Sequence, residues 1–540
     1  MIESLTLRNK KAIKWTAVLL ALSGLALLFF VPAEKSLWYA VLYGLEALLT
    51  AFVFYSSKTS KIFFMNPEWK WKLLVSGIIN SIVIMTVIFL HSNVPFLWDS
   101  HIYYNVGDAI FDGGLAAWPS DAVYRGYVWP LIVAICKRLL GWTILNERMS
   151  FTILVSIVYG FVLAWIVVKV SEYLFQRSIT MPQVVLPVIW VSTFWWGLLA
   201  YPLSDIPACL MTAVAVILLW EIRNRSLSKK AIFFKSMLLG ICAYGAYNIR
   251  TMYVVIWPLI FLPMVYDCIK SNKDRAKSLT ALLLAVIGFC MIAWPQYRIN
   301  QTKTGKTTPM IQTGMLFNTD LDLMTWQCVV GLQYQRYDTY LGKNMTGTEA
   351  HPMYFSDPLR EEFLAEGCEV IRTKPQFIEY MLRNPVRAAG VYGRHYINLL
   401  DNRYPETYVQ DLERGREPEV IIQYLMWFFG GVTLAYFYCQ RNKIEEQKTR
   451  GWFAHWFDKK GLFLLIWILA PMLAAAGAIE LRFFFAVYLL LYVFLANLPQ
   501  IDGLGTFIKN NKWMIAGCAV AGFIGLNTVW SSTMASLARW

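Results

Sequence analysis

Residues 73–90 read LLVSGIINSIVIMTVIFL, and residues 91–114 continue HSNVPFLWDSHIYYNVGDAIFDGG. The first stretch carries no charge over eighteen residues. A helix needs about 20 mainly apolar residues to cross roughly 30 Å of hydrocarbon, because each backbone group in lipid must bond within its own segment. The second stretch turns at once to acids and aromatics. A span that opens onto a reactive loop is the pattern from which the rest of the chain is read.

Similar runs recur along the sequence. They predict an all-α polytopic membrane protein of about thirteen transmembrane helices, near 13–31, 36–55, 73–90, 147–168, 183–200, 205–222, 232–248, 251–266, 278–296, 420–438, 461–479, 483–498 and 513–531. Composition agrees: 57% of the 540 residues are hydrophobic, 16% are charged and the mean hydropathy is +0.46. That is more apolar surface than a soluble globule can cover with polar atoms. The net charge of +14 does not indicate a nucleic-acid binder, because the basic residues sit in short clusters between hydrophobic runs. Arg8, Lys10, Lys11 and Lys14 precede an apolar run to Val31 that has no small-x-small cleavage site, so it reads as a retained span.

Charge also orients the chain. With the N-terminus inside, the inner segments hold 27 Lys and Arg, the short outer segments 8, and the long segment 297–419 the other 14. Long loops cross regardless of charge, so the contrast between inner and short outer segments decides. Residues 127–142, YVWPLIVAICKRLLGW, are apolar but short and contain Pro130, Lys137 and Arg138. They read as an interfacial or re-entrant helix on the outer side, since counting them as a span would invert every later segment.

The domain reading follows: 1–72 a two-helix addition, 73–296 a transmembrane module with an acid-bearing outer loop at 91–146, 297–419 a small α-rich outer domain, and 420–540 the last spans. The outer loop carries Asp99, Asp108, Asp112 and Asp121 among Trp98, Tyr103, Tyr104, Tyr124, Tyr127 and Trp129. In the outer domain, Asp357-Pro358 suggests a helix start with Pro at its first position, and Lys374-Pro375 opens a helix that ends at Asn384-Pro385. The next segment, 386–400, is amphipathic enough to lie on the membrane. The nine cysteines are scattered without CxxC, and the five histidines show no metal-ligand spacing, so neither a disulfide framework nor a metal or other cofactor is indicated. His91 and His101, near the loop acids, are the metal alternative.

At this point the chain resembles the GT-C membrane glycosyltransferases, especially the bacterial relatives of protein O-mannosyltransferases and of the lipid A aminoarabinose transferase. WDSHIYYNVGDAIFDGG (98–114) resembles the family's first acidic motif, and YRGYVWPLIVAICKRLLG (124–141) its interfacial segment. LAYPLSDIPACL (199–210) resembles the second acidic motif, YNIRTMYVV (247–255) the arginine motif, and IELRFFFAVYLLLYVF (479–494) the late arginine-bearing span. PQFIEYMLRNPVRAAGVYGRHYINLL (375–400) looks like the helices before the late spans. The likeness covers about residues 72–500. It departs at Ser100, where relatives often have Glu, and at Trp129-Pro130-Leu131, where they often have K-P-P-L. Arg125 is the candidate to replace the missing lysine on a donor phosphate.

The resemblance implies sugar transfer from a polyprenyl-phosphate donor to a glycan, lipid or protein acceptor, with inversion, at the outer face of a bacterial cytoplasmic membrane. Such a reaction needs a base for the acceptor hydroxyl and cations for the departing phosphate. Asp99 is the candidate base, its carboxyl expected to rise in pKa among the aromatics; the bland alternative is a loop acid or a helix N-cap. Asp205 either caps the helix it begins or orients a substrate. Tyr103 and Asp108 are candidate acceptor contacts, Asp108 having a structural alternative on an amphipathic helix. Arg250 and Arg482 are candidate phosphate clamps, against snorkelling or pairing with Glu480 or Asp205. Glu46, inside the second predicted span, reads as a paired structural acid. A transporter or flippase of lipid-linked sugars would need charged, broken spans, and the span centres here are mostly plain apolar. A polymerase or ligase of lipid-linked saccharides shares the large outer loop but not the early acid-bearing one.

Overall fold

A computed structural model of the chain describes residues 68–91, 95–109, 121–141, 145–175, 178–224, 226–270, 275–313, 323–342, 351–402, 404, 406–410, 417–445, 459–477, 480–498, 501 and 503–537. The two predicted spans before residue 68, with Glu46, and Asp112 in the loop lie outside them.

The described chain is helical. Its elements run α1 Trp69–Leu90, α2 Trp98–Val106, α3 Asp121–Arg125, α4 Val128–Gly141, α5 Glu147–Phe175, α6 Met181–Phe194, α7 Trp196–Ala200, α8 Asp205–Asn224, α9 Lys229–Ile249, α10 Ile256–Lys270 and α11 Arg275–Thr304. Then follow α12 Leu323–Gln333, β1 Tyr334–Tyr340, β2 His351–Ser356, α13 Arg360–Ala365, α14 Lys374–Arg383, α15 Pro385–Asn398 and β3 Tyr408–Val409. The chain closes with α16 Glu417–Glu445, α17 Lys459–Ala474, α18 Phe485–Asn497, α19 Leu504–Asn510 and α20 Lys512–Ala535.

Among the described residues, seven helices are long and apolar enough to cross a membrane: α1, α5, α8, α9, the stretch Thr251–Ile269, α11 and α20. Four further expected spans are shorter as apolar helices, Met181–Phe194, Val420–Tyr436, Gly461–Ala474 and Leu481–Asn497. The physical reasons are local. The run 183–200 breaks at Trp195 into α6 and α7, 461–479 stops at Ala474, and 483–498 starts in a 3-10 turn, Leu481–Phe484. Several long helices face away from the protein: only 22% of the apolar window of α11, and none of that of α20, is buried. Trp294, Trp513, Phe523 and Ile524 stand exposed on them, which calls for an apolar solvent.

Close helix contacts rest on small residues. A Cβ at Gly240 of α9 would lie 1.8 Å from the Ala285 carbonyl oxygen of α11, and one at Gly288 would lie 2.1 Å from that of Met237. The two glycines therefore let these backbones touch reciprocally. At one end of the bundle, charges pair between helices: Lys169 with Glu221 at 3.4 Å, Lys235 with Glu221 at 2.5 Å, and Arg223 with Asp267 at 2.6 Å. The other end, where α8 and α18 begin and α9 terminates, carries the candidate site.

Segment 297–419 is not purely helical. It contains a three-stranded sheet in the order β2-β1-β3, β1 antiparallel to β2 and parallel to β3. Its helices follow local signals in part. Thr373 caps α14 by accepting from Gln376 N at 3.4 Å, and Asn384 ends it. Asp357 instead accepts from Leu359 N at 2.9 Å in a turn before α13, and grips Arg394 of α15 with both oxygens at 2.7 and 2.8 Å.

Candidate functional site

Asp99 stands in the first turn of α2, immediately after Trp98, whose φ of +51° is in the left-handed region that a bulky residue avoids. Ser100 holds that turn: its Oγ accepts from Leu97 N at 3.0 Å and donates to Leu97 O at 2.5 Å. The residue at which the chain departs from the resembled motif thus closes the turn that presents the acid. Strain beside a functional candidate is a familiar arrangement, and Trp98 is also half exposed.

Two guanidinium groups meet Asp99. Arg125 Nη2 lies 2.7 Å from Oδ1, and Arg482 Nη2 lies 3.1 Å from Oδ2. Arg125 ends α3, and the chain then turns at Gly126, φ +76°, directly against α9. There Asn248 Oδ1 accepts from the backbone N–H of both Tyr127 and Val128 at 2.9 Å, satisfying the start of α4. Asn248 Nδ2 donates to Gln296 at 2.9 Å, and Gln296 Nε2 donates to the Ala122 carbonyl at 3.0 Å, so a buried amide relay fixes both sides of Arg125.

Two residues beyond Asn248, Arg250 closes α9 and pairs with Asp205, the first residue of α8, at 2.7 Å; it also donates to Ser204 Oγ at 3.2 Å. Asp205 thus puts negative charge in the first turn of a helix, without a capping hydrogen bond among the described residues, and pairs with a cation there. Arg482 joins the two halves. Its Nη2 is 2.7 Å from Glu480 Oε2, and its Nη1 is 3.9 Å from Asp205 Oδ2. Phe483 packs beneath the pair, 4.3 Å from the Arg250 guanidinium carbon and 5.9 Å from that of Arg482. Tyr337 of β1 donates to Glu480 Oε2 at 3.1 Å, bringing the sheet to the cluster.

The result is three carboxylates and three guanidiniums from segments far apart in the chain. Asp99 and Arg125 side chains keep 22% and 21% exposure, whereas Asp205 and Glu480 fall to 2% and 3%, so the cluster opens to solvent on the Asp99 side. Buried charges are tolerated only when paired. Yet the Nε donors of Arg125 and Arg482, and Glu480 Oε1, are buried without a hydrogen-bond partner among the described residues. Both Asp205 carboxylate oxygens are likewise without a hydrogen bond there, and the unused guanidinium donors are what an incoming anion would fill.

The electrostatics reverse one expectation. Burial pushes the Asp99 carboxyl up, but Arg125 and Arg482 outweigh it and hold it below the usual carboxylate range. Glu480 behaves oppositely: burial dominates, the nearby Asp205 and Asp99 add to it, and its carboxyl is pushed up to about 7 despite Arg482.

The other sequence candidates divide. Tyr103 is buried and lies 6.0 Å beneath the Arg125 guanidinium, on the cluster's wall. Asp108 is not brought to the cluster. It pairs with buried Lys137 of α4 at 2.5 Å, and Lys137 also reaches Glu147 at 3.3 Å, which ties α4 to its neighbours. Asp108→Asn should accordingly lower the melting temperature in detergent by weakening the counter-charge of Lys137, while leaving any transfer activity in place; lost transfer with an unchanged melting temperature would reverse that assignment. His91 stacks on Trp196 with ring centroids 3.7 Å apart, while His101 sits exposed beside Asn105. No group of three or more His, Cys, Asp or Glu side chains converges as a metal site among the described residues. Sequence reasoning saw Glu480 only as a pairing partner and missed Tyr337, whose one signal is the alternation in YQRYDTY.

No family model, no curated protein and no solved structure matches the chain.

Proposed function

We propose that this chain is an inverting glycosyltransferase of the GT-C type that transfers a sugar from a polyprenyl-phosphate-linked donor to a hydroxyl of a glycan, lipid or protein. In this reading the chain crosses a bacterial cytoplasmic membrane thirteen times with its N-terminus inside, and the arginine cluster lies at the outer face, where donor and acceptor are presented. The observation that carries the proposal is the contact of Asp99 with Arg125 and Arg482, one guanidinium away from the Asp205–Arg250 pair.

The chemistry follows from that contact. The bond from the anomeric carbon to the phosphate oxygen breaks, its electron pair leaving on the phosphate, while the acceptor oxygen bonds to the opposite face of that carbon. The acceptor proton passes to the Asp99 carboxylate. In the resting cluster Asp99 is a weak base, because two cations hold it ionised. As charge grows on the departing phosphate, Arg125 and Arg482 turn their donors toward it, and Asp99 becomes more basic at the moment the proton is released. Arg250, stacked on Phe483 and fixed by Asp205, supplies the standing positive potential at the back of the site.

The test is release of polyprenyl phosphate and transfer of label from a synthetic polyprenyl-phosphate sugar by the purified chain in lipid. Asp99→Asn is expected to lower the rate by about 10²–10⁴, the usual contribution of a positioned base, while donor binding persists. Unchanged transfer in Asp99→Asn would remove the residue from that role.

A further inference from the structure

Arg482 meets two carboxylates at one nitrogen while another of its donors goes unused. Its Nη2 is shared between Asp99 Oδ2 at 3.1 Å and Glu480 Oε2 at 2.7 Å. Its Nε is buried and, among the described residues, without a hydrogen-bond partner, and so is Glu480 Oε1. With every group ionised, the three acids and three arginines sum to zero. An anion entering the cluster adds a negative charge to a set of groups that is already balanced.

We propose that Glu480 is a displaceable counter-ion: a phosphodiester anion takes its place on Arg482, and the released carboxylate becomes the neutral acid by taking one proton from solvent. The inference rests on the donor-site reading above and adds to it a stoichiometric proton. The step balances, because the charge brought by the diester is cancelled by the proton bound at the glutamate.

The surroundings of Glu480 allow this exchange. Arg482 faces it from its own 3-10 turn, Tyr337 from β1, Tyr408 from β3, Asp99 from α2, Asp205 from α8, and Arg250 from the end of α9. Arg482 and Arg250 favour the carboxylate. Burial, Asp99 and Asp205 favour the acid, and together they already bring the carboxyl to about 7 before any ligand arrives. Removing the Arg482 contact and adding a second anion both move it further in the same direction, so proton uptake is expected above neutral pH and not below. The idle Oε1 of Glu480 then carries the proton.

The probe is a short-chain prenyl methyl phosphate, a diester whose own charge does not titrate near neutrality. Calorimetric binding to the purified full chain in two buffers of different ionisation enthalpy measures the protons exchanged. At about pH 8 the wild type should take up close to one proton per diester and at about pH 5.5 almost none, with affinity falling about tenfold between pH 6 and 8. Glu480→Gln should bind the diester with no proton uptake and little dependence on pH. Binding by the wild type at about pH 8 without proton uptake, or uptake retained in Glu480→Gln, overturns this proposal and leaves the donor reading intact. No binding at either pH overturns both. The two-buffer measurement on the wild type decides the matter even where the variant does not fold.

Discussion

Arg482→Gln is expected to destabilise the folded chain by about 3–5 kcal/mol, the usual cost of leaving a buried charge network without its counter-charge. The residue's side chain is 10% exposed and contacts Asp99, Glu480 and, at 3.9 Å, Asp205. Removing it leaves Glu480 facing two other acids across a buried space. Transfer should fall by at least about 10²-fold, because the guanidinium that meets both base and departing phosphate is gone. Arg482→Lys should recover little, since one ammonium cannot span acceptors lying on two sides of a planar fork. The double variant Arg482→Gln/Glu480→Gln separates the two roles: it should regain part of the lost stability but none of the transfer. Thermal unfolding in detergent and label transfer read these outcomes independently. An Arg482→Gln protein with wild-type melting and wild-type transfer would mean that the cluster neither supports the fold nor acts on substrate.

Gly126→Ala should be nearly as damaging, for a reason of space instead of charge. A Cβ at this position would lie 1.9 Å from the Asn248 carbonyl oxygen, a backbone atom that cannot move without shifting the end of α9. The backbone is also left-handed there, φ +76°. The loop must therefore open, which pulls Tyr127 and Val128 off Asn248 and carries Arg125 away from Asp99. The expected cost is about 2–4 kcal/mol of stability, from overpacking and strain together. A sizeable fall in transfer should accompany it, because displacements of about 1 Å at a site can cost 10²-fold. Gly305→Ala is the control. It shares the left-handed backbone, φ +70°, but its Cβ would meet nothing within 4 Å. It should lose only about 1 kcal/mol, with transfer unchanged. Equal effects at the two glycines would show that conformation, and not the close approach to Asn248, governs Gly126.

Much of this arrangement is legible in the sequence, and the limits have physical causes. Long uncharged runs announce α1, α5 and α11, because lipid demands one continuous internally bonded helix. Where tertiary packing takes over, as at the Trp195 break and the 3-10 turn at Leu481–Phe484, hydropathy alone merges two elements into one. The sheet was hidden because β3 is only two residues long and exists through its pairing with β1. Asp99, Asp205, Arg250 and Arg482 could each be picked out near a span boundary, and Arg125 from the motif in which a lysine is missing, and the five do converge. Asp108 could not be told from them by type or position; only its distance to Lys137 separates it. Nor could the direction of the Asp99 shift be read from aromatic neighbours, since two guanidiniums from residues 125 and 482 decide it.

The cluster also has a history written into its spacing along the polypeptide. Asp99 meets Arg125, Asp205 meets Arg250, and Glu480 meets Arg482, so each acid finds a cation that leaves the ribosome soon after it. Each such couple is electrically neutral by itself, so none of these three acids depends for its first counter-charge on a distant part of the chain. Arg482, the last of the six along the chain, reaches beyond its own couple to Asp99 and Asp205 and so ties three neutral couples into one cluster.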